Sequence, residues 1–280
     1  GVRIVIISPE GYVHSACFRE VAILLHAALS GLGFNAELAM NELSVARVNI
    51  LLGYHLISPD FIEKYLNNSR YYYIPYQLEQ LSEGAFPLNP VQRQVLAQAD
   101  EIWDYSLKNI DYMNGIGLNA CYLPIGYHKK LELINQCEES EKDIDILFYG
   151  SVGDRRRKLL QSFGKSVNLK VLFGVYGEPR DRMIARSKIV LNIHHYPAQL
   201  LETVRLSYLL NNRVFIVSES SSENPYHELD VVFSSYDALV ASCQTYLSDP
   251  DLRNQLRKKA YIQFKKNFSM EKFLLKYVKE

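Results

Sequence analysis

Residues 187–220 read SKIVLNIHHYPAQLLETVRLSYLLNNRVFIVSES. Lys188 to Ile193 is a short, β-rich apolar run, Gln199 to Leu210 places apolar residues at 200, 201, 204 and 208, and Val214 to Val217 is a second apolar run. The pattern predicts strand, loop, helix, strand. Such a unit is right-handed and brings its loop and helix N-terminus to the carboxyl edge of a parallel sheet, where open α/β folds bind ligands. Asn192, His194 and His195 leave the first strand at that edge, and Glu202 falls in the first turn of the expected helix. A buried sheet has no need of so much polarity there, which points to a binding edge.

Working outward, 280 residues with 48% hydrophobic content suffice for two cores of about 130 residues each. Lys plus Arg and Asp plus Glu both number 31, so no global field draws in nucleic acid or an acidic surface, and an anion site has to be local. Cys17, Cys121, Cys137 and Cys243 show no zinc or redox spacing and read as idle or buried thiols of a reducing compartment. The sequence starts on a strand, without a basic leader or an apolar h-region, which leads us to expect a cytoplasmic protein. The longest apolar helix, 21–32, is interrupted by His26 and Ser30 and is far shorter than the roughly 20 residues of a membrane span.

Along the chain, strands at 2–8, 34–40, 48–54, 71–75, 101–105 and 120–124 alternate with helices, and Ser15 is the expected N-cap of the first helix. The charged stretch 128–143, ending in ESEKD, reads as a linker between a first domain, 1–127, and a second, 144–280. The second domain restarts on the buried strand Ile144 to Tyr149. A glycine turn follows, in which Gly150 and Ser151 would bring backbone N–H groups close to a phosphate, with Arg155 and Lys158 supplying positive charge. The plainer alternative is a tight βα turn with a basic face. Phe173 to Gly177 could seat a flat group, with Gly174 for close approach and Tyr176 for stacking, or could simply turn the chain. Glu202 could accept hydrogen bonds from a ribose diol or merely complement a helix dipole. A single histidine there is more often packed or solvated than functional, but two beside Asn192 on a strand-end loop shift that balance.

The segments ADEIWDYSLKNIDYMNGIGLNACYLPIGY (99–127) and IDILFYGSVGDRRRKLL (144–160), followed by 187–220, resemble bacterial glycosyltransferases of the GT-B fold, in the family-1-like group that includes CgeB-like proteins. The resemblance implies an α/β protein of two facing Rossmann-like domains with parallel sheets. It further implies an acceptor cleft in the first domain, a nucleotide-sugar site in the second, and a last helix that crosses back to the first. Many retaining members carry two glutamates at the spacing of residues 194 and 202 here. Glu202 matches the second, whereas His194 stands where the first would be.

The same resemblance implies transfer of a sugar from a nucleotide diphosphate, for which UDP is the expected carrier, without a metal or other cofactor. The expected acceptor is a glycan, a lipid-linked species or another hydroxyl. For an inverting reaction the base candidates are His14, on the first strand-to-helix loop, and Glu79, after the fourth strand. Retention would need neither. A nucleotide-sugar 2-epimerase or a catalytically silent nucleotide- or glycan-binding module would share the fold. The basic run Arg253, Arg257, Lys258, Lys259, Lys265 and Lys266 reads as a solvated face, with docking at an anionic membrane as its functional option.

Overall fold

Val2–Ile6 (β1) has three of its five residues fully buried and the other two partly so, as expected of a near-continuous apolar strand sandwiched between helix layers. The computed structural model describes residues 1–81, 87–196 and 200–278, and it resolves into two units, 1–130 with 269–280 and 131–268.

In the first unit β1 is followed by Arg19–Gly31 (α1), Ala36–Met40 (β2), Val48–Leu52 (β3), Pro59–Phe61 (α2), Tyr73–Gln77 (β4), Pro90–Ala97 (α3), Trp103–Asp104 (β5), Leu107–Gly115 (α4) and Cys121–Tyr122 (β6). The strands are all parallel, in the order β2-β1-β3-β4-β5-β6. The order therefore reverses between β1 and β3, which opens a crevice at their carboxyl ends. Val5, Leu51, Tyr73, Val95 and Met113 lie in the apolar core beneath it. Ser15 does not cap α1: a 3-10 turn, Val13–Phe18, comes first, and the Ser15 hydroxyl donates instead to the Ile7 carbonyl at 3.0 Å. At the other end of α1, Gly33 takes φ +89°, and Phe34 N–H reaches back to Leu29 O at 3.0 Å, the six-to-one bond that closes a helix.

The second unit runs Ile144–Tyr149 (β7), Asp154–Gln161 (α5), Leu169–Leu172 (β8), Gly177–Ala185 (α6), Ser187–Asn192 (β9), Thr203–Asn211 (α7), Ile216–Glu219 (β10), Val232–Ser234 (β11), Leu239–Leu247 (α8) and Pro250–Asn267 (α9). Its parallel order, β11-β10-β9-β7-β8, reverses between β7 and β9. Both units are thus Rossmann-like.

Two expectations need correction. The helix after β9 begins at Thr203, not near 199: Gln199 lies outside the described residues, Leu200 and Leu201 are buried in non-helical backbone, and Glu202 is the residue preceding the helix. The charged segment 128–143 is not a free linker. From Leu131 onward it belongs to the second unit, where Leu131 and Ile134 are buried, Asn212 bonds Leu131 O and Ile134 N–H, and Lys142 Nζ donates to the carbonyls of Ala185 and Ser187. The last helix, Met270–Leu274 (α10), is part of the first unit, with Met270 N–H bonded to Tyr127 O and the Tyr277 ring 5.9 Å from that of Trp103.

Candidate functional site

At the end of β7 the chain turns through Gly150, whose φ of +132° suits glycine alone, and a β-carbon there would stand 2.7 Å from Arg205 Nη2. Glycine at this position therefore makes room for an arginine. Arg205 comes from α7, stacks over the Tyr149 ring at 4.9 Å, and donates from Nη1 to Asn192 Oδ1 at 2.8 Å.

Helix α5 starts just past this turn and sends consecutive arginines in different directions. Arg156 is buried and donates to Ile193 O, at 2.9 Å from Nε and 2.6 Å from Nη2, and to Ser151 O at 2.9 Å from Nη1. It thereby ties the ends of β7 and β9 together at the switch point. Burial and the neighbouring charge of Arg205 bring its pKa down to about 10. Arg155, expected to serve a phosphate, is instead committed to Glu219: both terminal nitrogens meet the buried carboxylate, and Nη1 also donates to His194 O at 3.1 Å. Its guanidinium lies 4.1 Å from the centre of the Tyr236 ring. Lys158 is exposed on the outer face of α5. The arginines that flank the turn are therefore 156 and 205, neither singled out by the sequence.

Glu202 closes the site from the start of α7. Its Oε2 accepts from Asn192 Nδ2 at 2.8 Å and faces His194 Nδ1 at 3.1 Å. Oε1 is buried without a hydrogen-bond partner among the described residues, although Arg156 Nη2 stands 3.5 Å away. Thr203 Oγ1 beside it is likewise buried and unpartnered. Burial alone would raise the Glu202 carboxyl, but the His194 hydrogen bond and charge, Arg205 and Asn192 hold it below the usual carboxylate range. For His194 the balance is reversed. Burial opposes its charge, yet the bond to Glu202 and the attraction of Glu202 and Glu219 raise it above the ordinary imidazole value. His195, with its Nδ1 3.5 Å from Ser151 Oγ, is lowered by burial and by Arg156. The structure thus brings Gly150, Ser151, Asn192, His194 and Glu202 together. Gly174, at φ +67°, and Tyr176 follow β8, on the opposite side of β7 from β9.

The two base candidates belong to the first unit, at the carboxyl edge of its sheet. His14 sits on the 3-10 turn after β1, its ring 5.3 Å from that of Tyr12. Glu79 is held by its backbone: Gln77 Oε1 accepts from its N–H at 2.7 Å, and Gln77 Nε2 and Asn109 Nδ2 donate to its carbonyl at 2.7 and 2.8 Å. Gln77 and Asn109 also bond buried Asp104. Such a fully buried polar network fixes the loop while leaving the Glu79 carboxylate partly exposed. His55, absent from the expected set, stands with Nε2 3.6 Å from Glu79 Oε1. Burial and Glu79 push the thiol of nearby Cys17 up to about 12, which disfavours its thiolate.

No family model matches the chain. Among proteins of Acanthamoeba polyphaga mimivirus, L137 is 31% identical over 160 residues, 53% of this chain and 21% of that protein, and R358 is 29% identical over 171 residues, 59% of each. The chain thus spans less than two thirds of either relative. Solved structures align with nearly all of it. An alpha-glucosyltransferase in complex with UDP and a 13-mer DNA gives a TM-score of 0.64 at 11% identity, covering 98% of this chain and 97% of that one. T4 phage BGT in complex with UDP-glucose gives 0.63 at 10%, covering 99% and 97%, and AviGT4, a glycosyltransferase of avilamycin A biosynthesis, gives 0.58 at 14%, covering 99% and 95%. At these identities the likeness establishes the fold, which is GT-B. The expected bacterial, CgeB-like affiliation is unsupported, since the sequence relatives are viral.

Proposed function

We propose that the chain is a glycosyltransferase that binds a nucleotide-diphosphate sugar, with UDP as the carrier, in the second unit. The observation that carries this proposal is the buried Glu202 Oε1 at the β7/β9 switch point, which has no hydrogen-bond partner among the described residues and lies beside Arg156 and Arg205. A buried carboxylate oxygen lacking a donor is costly unless a ligand supplies one, and a ribose diol supplies two adjacent hydroxyls. The diphosphate then falls to Gly150, Ser151 and the two arginines, where positive charge stabilises the leaving group as the glycosidic bond breaks. UDP and UDP-glucose in two of the structural neighbours support this choice of donor.

For the acceptor we favour an uncharged hydroxyl, on a glycan or a lipid-linked sugar, over nucleic acid. The first unit carries 12 Lys and Arg against 14 Asp and Glu, the opposite of the balance that phosphate backbones require. His14 and Glu79, with His55 at hand, are the groups that could take the acceptor proton. Among the described residues no helix is long and apolar enough to cross a membrane. Lipid-linked acceptors would be met at the membrane surface. The test is incubation with a UDP-sugar panel, with and without glycan acceptors, followed by product analysis. Transfer or slow hydrolysis is expected. Conversion to a second sugar nucleotide would mean an epimerase, and no turnover of any bound donor would mean a silent binding module.

A further inference from the structure

Both ring nitrogens of His194 face oxygens that accept. Nε2 lies 2.9 Å from the Ser220 carbonyl, and Nδ1 lies 3.1 Å from Glu202 Oε2, which already accepts from Asn192. A neutral imidazole has one N–H and can satisfy only one of them. Two protonation patterns meet the geometry, one with the extra proton on His194 and one with it on Glu202. Arg156 at 3.5 Å, Arg205 bridged through Asn192, and the Asn192 amide all favour a carboxylate at 202. The proton therefore belongs on the ring.

We infer that His194 is an imidazolium positioning residue, which turns Glu202 so that Oε1 faces the donor and, by neutralising Glu202, leaves Arg156 and Arg205 uncompensated for a diphosphate. This rests on the donor-site proposal above and assigns a role within it. Arg155 and Glu219 cancel each other, and His194 and Glu202 cancel each other. Two positive charges then remain at the turn, matching the two phosphates. With a neutral His194 the full carboxylate charge would fall on Arg156, whose Nη2 already stands 3.5 Å from Glu202 Oε1, and one of those charges would be spent inside the protein.

Every charged group around the ring enters the balance. Glu202 at the start of α7 and Glu219 at the end of β10, whose Oε2 accepts from the His194 backbone N–H at 2.9 Å, favour the cation. Arg155 and Arg156 of α5, Arg205 of α7 and a protonated His195 oppose it. The net direction is upward from the ordinary imidazole value.

The test has two arms. Long-range proton–nitrogen spectra of the ligand-free, nitrogen-15-labelled protein resolve the seven histidines, with His194 assigned by its loss in His194→Gln, or by its downward shift in Glu202→Gln should the first variant not fold. Both ring nitrogens should be protonated at about pH 7 and remain so above the ordinary imidazole range. A neutral ring at that pH overturns the inference. In the second arm, affinities for UDP and UMP are measured from about pH 6 to about pH 9. The preference for UDP should fall about tenfold as the ring deprotonates in the wild type, and should be small and pH-independent in His194→Gln. A preference that stays constant while the spectra show deprotonation refutes the role in freeing Arg156. If the ring is charged but UDP binds at no pH, the donor-site proposal fails and the role given to His194 fails with it, while the ion pair itself stands.

Discussion

Arg205 Nη1 donates to Asn192 Oδ1 at 2.8 Å, while its Nη2 stands 2.7 Å from where a β-carbon on residue 150 would be. Gly150→Ala should therefore strain a backbone at φ +132° and displace the guanidinium. We expect a loss of about 1–3 kcal/mol in thermal or denaturant unfolding, together with weaker UDP binding. A variant as stable as the wild type that binds UDP equally well would show that Arg205 has no need of that space.

Arg156 and Lys158 should behave oppositely. Arg156→Gln should cost UDP about 1.5–3 kcal/mol, the worth of a hydrogen bond between charged groups, while uridine affinity changes little, and Lys158→Ala should leave both ligands unaffected. Equal losses for UDP and uridine in Arg156→Gln would trace the effect to the strand ends it braces rather than to phosphate.

Arg155→Ala is expected to act on folding first. It leaves the Glu219 carboxylate buried without its partner, and breaking a buried pair in this way costs on the order of 3 kcal/mol or more. Chemical denaturation checks this, and a stability change under about 0.5 kcal/mol, as at an ordinary surface site, would remove Arg155 from the framework.

Stability should also depend on pH through the His194–Glu202 pair. The folded pKa of His194 is raised, so its contribution is complete below the ordinary imidazole value and is lost as pH rises through the raised one. Glu202 is depressed, so its contribution is present above the ordinary carboxylate value and is lost as pH falls through the depressed one. Melting temperatures should show a plateau between these limits, and in Glu202→Gln the acid limb set by Glu202 and the alkaline limb set by the raised His194 should both be lost. An unaltered profile in that variant would mean that the pair does not control the plateau.

Much of this was legible from local pattern. Apolar runs with strand length marked β1, β3, β7 and β9, and glycine after a buried strand marked the turn at 150. Glu202 was found from its place after β9, even though Leu200 and Leu201 pack as buried loop and delay the helix. Arg205 and Arg156 were hidden for a different reason. Consecutive arginines on α5 differ by about 100° around the helix axis, and which of them enters the site depends on Glu219, which follows more than sixty residues later. The framework of Gln77, Asp104 and Asn109 around Glu79 likewise joins side chains from β4, β5 and α4, and no short motif announces it.

At the acceptor side, replacing the base should lower kcat by roughly 10²-fold with little change in donor affinity. Kinetics of His14→Ala, Glu79→Gln and His55→Ala with one acceptor identify which residue it is. If His55 acts through Glu79, the two single variants and the double variant should be about equally slow. Full activity in all three would leave a retaining reaction that needs no such base.

The most direct test of the central claim is calorimetric titration of the wild type and of Glu202→Gln with UDP, GDP, ADP, CMP and dTDP. Saturable binding of UDP is predicted, weaker by about 1.5–3 kcal/mol when the carboxylate that meets the ribose is neutralised. Absence of binding for all five nucleotides, or UDP binding untouched in Glu202→Gln, would contradict a nucleotide-sugar site at the β7/β9 edge.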